Sequence, residues 1–460
     1  MRRRDFLFTL TAAVLGGCAT KQTSRRAGPA TRAEAVANGR RPNIIVIVAD
    51  DLGYADLGCY GGRDVPTPNI DSLAANGVRF TNGYVTAPVC SPTRAGLITG
   101  RYQQRFGHEF NPGGAPEENF GLPLDQTTLP QILKGHGYAT GMVGKWHLGT
   151  RPKYRPTERG FDEYFGFLGG AHAYLDLKQE GPNPILRGTT PVAERDYLTD
   201  AFAREAGKFI DRHHDETFFL YLTFNAVHTP QQATSTYLAR FAHIPDPRRR
   251  TMAAMLSAMD DAVGHLLETL RKQRIEDDTL ILFISDNGGP TPSNASRNDP
   301  FSGFKAQLWE GGIRVPFIVQ WKRQIPAGRT EDVPVHSLDI VPTALAAAGI
   351  PLPPNMDGRN LMNVGDRALY WRFGEPRAIR RGDYKLLMLP GQRPALFDLS
   401  KDPGEKHDLA AQNPQLVTEL LAEYEQWDRE MVPPKWGRTP ARARPRRRER
   451  RAATTQPTTR

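Results

Sequence analysis

Cysteine is scarce, long apolar segments are missing, and no internal repeat is visible. Three cysteines, Cys18, Cys59 and Cys90, stand in 460 residues. That excludes the disulfide framework of small secreted domains and leaves the hydrophobic core to hold the fold. The longest apolar run, residues 6–15, is about half of what crosses a bilayer, so no transmembrane helix is expected. A net basic charge is lacking in the body of the chain despite a formal net charge of +10 overall. Residues 1–41 carry nine Lys/Arg and two acids, and residues 435–460 carry ten and one. The remaining stretch, 42–434, therefore holds 41 basic and 47 acidic residues, a net of −6. A mildly acidic body with basic ends gives no footing for nucleic acid. A hydrophobic content of 39% is enough for a substantial core, and the length indicates two or three domains.

Residues 1–18 read as an export signal. Arg2, Arg3 and Arg4 form a charged start, and Arg3-Arg4-Asp5-Phe6-Leu7 resembles the twin-arginine pattern of bacterial signals. An apolar stretch follows, and Leu15-Gly16-Gly17-Cys18 resembles a lipobox, at which a peptidase cuts before a cysteine that then carries lipid. The expected protein is exported to the periplasm or cell surface and anchored to a membrane through lipid on Cys18. The plainer alternative is an ordinary secretory signal with an incidental cysteine. Residues 19–41 are polar and without hydrophobic period, as in a flexible linker. Residues 433–460 are an Arg-rich tail expected to be disordered, either retaining an anionic polymer or lipid headgroup or merely solvated.

The body opens on residues 44–49, Ile-Ile-Val-Ile-Val-Ala, a continuous β-branched run that marks a strand buried on both faces. The same grammar recurs at 218–224 and 280–284. Helical periods fall between and beside them, at 69–76, 129–136, 199–213, 249–273 and 337–348. Strands alternating with helices make a doubly wound, mostly parallel α/β sheet over residues 42–350. From 351 to 432 the grammar changes to short segments (368–371, 377–380, 384–389, 395–399) parted by Gly, Pro and Asp, and then an amphipathic helix at 414–431. This reads as a small antiparallel α+β subdomain. The stretch 171–195 is polar and aperiodic, the signature of a large loop.

Chemistry-bearing residues sit at strand ends. Asp50-Asp51 ends the first strand, and Asp286-Asn287 ends the strand at 279–285. Three carboxylates and an amide form a hard-oxygen set suited to Ca²⁺ or Mg²⁺, although either pair alone is more often a helix cap or turn. Cys90-Ser91-Pro92-Thr93-Arg94 places a proline in the first turn of a helix, so Cys90 stands near its positive end with Arg94 four residues on. That pattern marks a reactive thiol candidate against the alternative of a buried structural cysteine.

Cys90-Ser91-Pro92-Thr93-Arg94, with Gly96-Leu97-Ile98-Thr99-Gly100-Arg101 after it, resembles the signature of formylglycine-dependent sulfatases of the alkaline phosphatase superfamily. The other blocks of that family stand in order. They are Pro42-Asn43 through Asp50-Asp51-Leu52-Gly53-Tyr54, Gly144-Lys145-Trp146-His147-Leu148-Gly149, His228-Thr229-Pro230, Asp286-Asn287-Gly288, and Gly303-Phe304-Lys305 with Trp309 through Pro316. The resemblance implies an alkaline-phosphatase-like fold and hydrolysis of a sulfate ester on a sulfated carbohydrate or aryl sulfate. It also implies a maturation enzyme that oxidises Cys90 to Cα-formylglycine, whose hydrate carries the reaction through a sulfoenzyme intermediate. By the same resemblance Asp50, Asp51, Asp286, Asn287 and the modified Cys90 are ligands of one divalent cation, Ca²⁺ in the family, with Mg²⁺ allowed by the ligand types. Arg94 would hold the hydrate, and Lys145 and Lys305 would bind sulfate. His228 would serve as acid for the leaving alcohol and His147 as base. His108 and His172 are further candidates for the pocket rim.

Two other readings compete. A phosphate or phosphonate monoester hydrolase of the same superfamily would bind a similar tetrahedral anion. A non-catalytic lipoprotein that binds anionic polysaccharide would use the basic tail instead.

Overall fold

Every residue of β1 (Asn43–Ala49) is buried, and its two faces feed two separate cores. Ile45 and Ile47 pack into one, Ile44, Val46 and Val48 into the other. This is why the run does not alternate: a central parallel strand has no wet face. The computed structural model describes residues 41–112, 119–175 and 181–437. The export signal, the linker up to residue 40 and the tail beyond residue 437 lie outside the described residues. Among the described residues, no helix is long and apolar enough to cross a membrane.

The strands after β1 are β2 (Val78–Phe80), β3 (Gly83–Tyr84), β4 (Ala139–Lys145), β5 (Glu163–Phe167), β6 (Leu186–Arg187), β7 (Thr190–Pro191), β8 (Phe218–Thr223), β9 (Thr279–Ser285), β10 (Phe317–Gln320), β11 (Arg329–Glu331) and β12 (Val335–His336). Ten of them form one sheet in the order β11-β2-β10-β9-β1-β8-β4-β5-β6-β7. The central strands β9, β1, β8, β4 and β5 are parallel. β10 runs antiparallel to both of its neighbours, and β6–β7 is a short hairpin on the far edge.

Helices cover both faces. α1 (Pro68–Ala75), α4 (Leu198–His213) and α5 (Pro247–Lys272) share the core of Ile45 and Ile47. The helices α2 (Cys90–Thr99), α3 (Leu129–Gly135) and α6 (Ile340–Ala347) share that of Ile44, Val46 and Val48. The small antiparallel sheet follows as β13 (Ala368–Arg372), β14 (Arg377–Arg381), β15 (Tyr384–Met388) and β16 (Ala395–Asp398). Against it α7 (Pro414–Asp428) packs Leu420, Tyr424 and Trp427 onto Ile379, Leu386 and Leu396.

The architecture is the expected α/β sheet with a small antiparallel companion, and the differences are local. β4 and β5 carry internal glycines that broke the apolar run. Gly144 of β4 has φ 116°, and a Cβ there would lie 1.9 Å from the Thr223 carbonyl oxygen. The helix expected at 414–431 stops at Asp428, where Met431 N bonds back to the Asp428 carbonyl in a closing turn. The stretch 171–195 is not wholly irregular, because it contributes the β6–β7 hairpin.

Candidate active site

Four parallel strands deliver their carboxyl ends to one edge of the sheet, the position where open α/β sheets gather chemistry. β1 delivers Asp50 and Asp51, β9 delivers Asp286 and Asn287, and β4 ends on Lys145 with His147 two residues on. The loop after β8 carries His228. Helix α2 enters with Cys90 as its first residue and Arg94 one turn later, both buried. Lys305 reaches in from the loop between β9 and β10.

These groups form one connected charge cluster. The Cys90 thiol Sγ lies 3.6 Å from Asp50 Oδ1 and 3.4 Å from Lys305 Nζ. Lys145 Nζ donates to Asp50 Oδ2 at 2.6 Å, and Lys305 Nζ to Asp51 Oδ1 at 2.5 Å. Arg94 grips Asp286 Oδ2 through Nε and a terminal nitrogen at 2.9 and 2.8 Å, and donates to the Lys145 carbonyl at 3.1 Å. Asn287 Nδ2 donates to Asp51 Oδ1 at 2.8 Å. Three carboxylates thus meet three cations, with Asp50, Asp286, Arg94 and Lys145 fully buried and Lys305 partly exposed, so that each buried charge has an opposite.

The electrostatics follow from that layout. Burial opposes ionisation of Asp50, yet Lys145 beside it, with His228 and Arg94, holds its carboxyl below the usual range. Burial likewise works against the Lys305 ammonium, but Cys90 and the surrounding carboxylates hold it well above its ordinary value. The Cys90 thiol goes the other way: burial, aided by Asp286 and Asp50, pushes it up to about 12 in spite of Lys145 and Lys305. The sequence pattern had marked a reactive thiol. In the structure the side-chain hydrogen bonds of Arg94 go to Asp286 and the Lys145 carbonyl and not to the thiol, and burial favours the protonated form of an unmodified Cys90.

The two histidines differ in the roles open to them. His228 Nδ1 lies 2.5 Å from the Thr229 carbonyl oxygen. A carbonyl only accepts, so Nδ1 carries hydrogen and Nε2, 3.7 Å from Asp51 Oδ2, is the proton-exchanging atom. His147 is pushed well below its ordinary value, first by burial and then by Lys145, Arg94, His108 and Lys305. It is therefore neutral. Its Nδ1 is buried without a hydrogen-bond partner. Gly170 makes room for its ring, since a Cβ at that position would lie 2.6 Å from Nε2.

The donor set fits a hard divalent cation. Ligand atoms of Asp50, Asp51, Cys90 and His228 all lie within 4.8 Å of one another. Asn287 Oδ1, buried beside them, has no hydrogen-bond partner, the state of a carbonyl oxygen kept for a metal. Asp50, Asp51, Cys90, Arg94, Lys145, His147, His228, Asp286, Asn287 and Lys305 are brought together, and His228 lies among the candidate ligand atoms.

Several supporting residues gave little signal in the sequence. His108 is a wall and not a rim residue. It is fully buried, with Nε2 2.7 Å from Ser91 Oγ and its ring 4.6 Å from that of Trp436. Burial pushes it down to about 3. His172 is partly buried and turns Nδ1 onto the Ala173 carbonyl at 2.7 Å. Tyr174, from the aperiodic stretch, places its hydroxyl against the Asn225 carbonyl and 2.9 Å from that of His228, fixing the loop that carries His228. A lone tyrosine in a segment without period offers no pattern from which this could be read.

The sheet, its helical layers and the strand-end cluster define an alkaline-phosphatase-type hydrolase fold. The sulfatase family model matches residues 42–350, and the model described as N-sulphoglucosamine sulphohydrolase, C-terminal, matches residues 304–429. The chain belongs to the sulfatase family of the alkaline phosphatase superfamily and is a sulfuric ester hydrolase. It is 32% identical to N-acetylgalactosamine-6-sulfatase of Sus scrofa, covering 80% of this chain and 82% of that one. It is 33% identical to arylsulfatase A of Homo sapiens, covering 82% and 85%. Among solved structures, Ps i-CgsB in complex with k-i-k-neocarrahexaose superposes with a TM-score of 0.83 at 40% identity, covering 86% of this chain and 95% of that one.

Proposed function

We propose that this sulfatase removes sulfate from a sulfated carbohydrate, using a formylglycine made from Cys90. The observation that carries the reading is the placement of Cys90 at the start of α2, between Asp50 and Lys305 and one helical turn before Arg94. A hydrated aldehyde at that position has two hydroxyls. The oxygen of one attacks sulfur while the sulfur–oxygen bond to the alcohol breaks. Loss of the proton from the other then expels sulfate and restores the aldehyde. Lys145 and Lys305 flank the position and neutralise charge on the sulfate oxygens, and Arg94 pairs with Asp286 beside them. His228 Nε2 supplies a proton to the leaving alcohol, and neutral His147 removes one from the second hydroxyl.

Asp50, Asp51, Asp286, Asn287 and the modified Cys90 would hold a divalent cation, Ca²⁺ by family resemblance, which when bound supplies positive charge for the ionised hydroxyl and the sulfate. The carrageenan-type oligosaccharide named with the 40%-identical Ps i-CgsB supports a sulfated polysaccharide fragment as substrate. The signal-like residues 1–18 support export, with lipid on Cys18 as the anchor, and the Cys90 motif supports encounter with a formylglycine-generating enzyme.

Turnover of an aryl sulfate and an aryl phosphate by one matured preparation tests the class. Dominant sulfate turnover is expected, and dominant phosphate turnover would overturn it. Screening sulfated galactan oligosaccharides against glycosaminoglycan fragments then tests the substrate class.

A further inference from the structure

Lys305 sits on a loop that is also fastened by β15 of the small C-terminal sheet and by the segment after β16. On the side of the large sheet, Ala306 N donates to the Pro88 carbonyl at 2.8 Å, two residues before Cys90. On the other side, Lys385 of β15 donates Nζ to the Leu308 carbonyl at 2.8 Å and to Glu310 Oε1 at 2.9 Å. The same ammonium pairs with Glu405 Oε1 at 2.8 Å. Glu405 Oε2 accepts from Glu310 N at 2.7 Å, and Ser302 Oγ donates to the Gly404 carbonyl at 2.5 Å. The segment from Ser302 to Glu310 is therefore clamped at both ends by one partner surface, with Lys305 between the clamps.

The chemistry of the clamp is that of a positioning device. The side chains of Lys385, Glu310 and Glu405 are fully buried. The second oxygen of Glu310 is held by the Tyr84 hydroxyl at 2.5 Å and by Arg314 at 3.3 Å. Buried ion pairs add little stability over well-packed apolar groups, because desolvation offsets their attraction. What such a cluster does supply is fixed direction. One ammonium holds a loop carbonyl and two carboxylates, and one of those carboxylates holds a loop N–H. Lys305 must in turn set its Nζ between Asp51 Oδ1 and Cys90 Sγ, where a displacement of the loop would move a sulfate-facing charge.

We propose that Lys385 and Glu405 are positioning residues for Lys305, so that the C-terminal subdomain sets the affinity of the site for a sulfate group. The inference rests on the sulfatase reading of Lys305. The test is a double-mutant cycle on the full, formylglycine-bearing protein, reading kcat/KM for an aryl sulfate and the inhibition constant of inorganic sulfate. Lys385→Met is expected to lower kcat/KM and weaken sulfate inhibition on the order of tenfold to a hundredfold, and Lys385→Arg to restore part of the loss. In a Lys305→Ala background, Lys385→Met is expected to cost nothing further. Should Lys385→Met not fold, Ser302→Ala, which removes only a partly buried hydroxyl clamp, carries the same cycle with a smaller loss that again vanishes without Lys305. Equal losses in both backgrounds, or no loss at all in folded protein, would overturn the proposal. Failure of the sulfatase reading shows differently, as matured wild type that turns over no sulfate ester.

Discussion

Asp50, Asp51 and Asp286 lie in a buried cluster with Arg94, Lys145 and Lys305, and each side chain there depends on its opposite. Arg94→Ala would leave Asp286 with the Asp51 N–H but without its ion-pair partner, and breaking a buried pair costs about 3–5 kcal/mol. Denaturant unfolding of the variant is expected to show a loss of that order, and wild-type stability would contradict the geometry. Cys90 makes a second prediction. A serine in its place supplies one hydroxyl and no second one, so it can accept a sulfo group but cannot expel it. Cys90→Ser is expected to release one equivalent of alcohol and stop, with the sulfo group found by mass on the peptide holding residue 90; steady turnover would count against the release step. At this scale the sequence marked Asp50 and Asp286 at strand ends, and the family resemblance added Lys145. Neither showed how they pair. The helix start and Arg94 looked like a thiolate-stabilising environment, and only the fold reveals that Asp286 claims the guanidinium.

At the scale of elements, the legible strands were those buried on both faces. β1, β8 and β9 announce themselves through unbroken apolar runs, whereas β4 and β5 carry glycines where neighbouring backbone leaves no room for a Cβ. Helix ends were legible to within a few residues, but their partners were not. α1 has no side-chain cap of its own, and its first N–H groups, those of Asn69 and Ile70, are met by Asp260 of α5. Asp260→Ala is expected to lower stability by about 1 kcal/mol, the worth of a lost cap; an unchanged unfolding midpoint would exclude that role.

Glu205 on α4 ties that helix to Arg187 of the edge hairpin at 2.7 Å. Burial would raise its carboxyl, but Arg187 and Lys208 prevail and hold it at about 2 against an ordinary 4.5. A depressed carboxyl contributes stability above its unfolded value and loses it as pH falls toward the folded one. The stability gap between wild type and Glu205→Gln is therefore expected to be full at neutral pH and to shrink below pH 4.5. A gap that stays constant with pH would show that the ion pair contributes nothing through ionisation.

For the whole molecule, two cores on either side of one sheet bring four strand ends to one edge. The small sheet closes that edge from the side of Lys305. The alternation of unbroken apolar runs with helical periods made this architecture legible. The contacts between the sheets, above all Lys385 with Glu310 and Glu405, were not legible, because nothing local marks residues so distant in the chain as neighbours. The proposed cation, held by residues just after β1 and β9 and at the start of α2, would bind the folded state alone and would stabilise it by mass action, about 2.7 kcal/mol at a hundredfold excess over Kd. Adding Ca²⁺ to chelated protein is expected to raise Tm in wild type and to leave Asn287→Ala nearly unmoved; equal rises in both would place the ion elsewhere.

The central claim is that Cys90 is the precursor of the catalytic group, and the mass of the tryptic peptide Phe80–Arg94, taken from active protein made in its native host, tests it most directly. An aldehyde in place of the thiol is the predicted result. An unmodified thiol in protein that hydrolyses sulfate esters would contradict it.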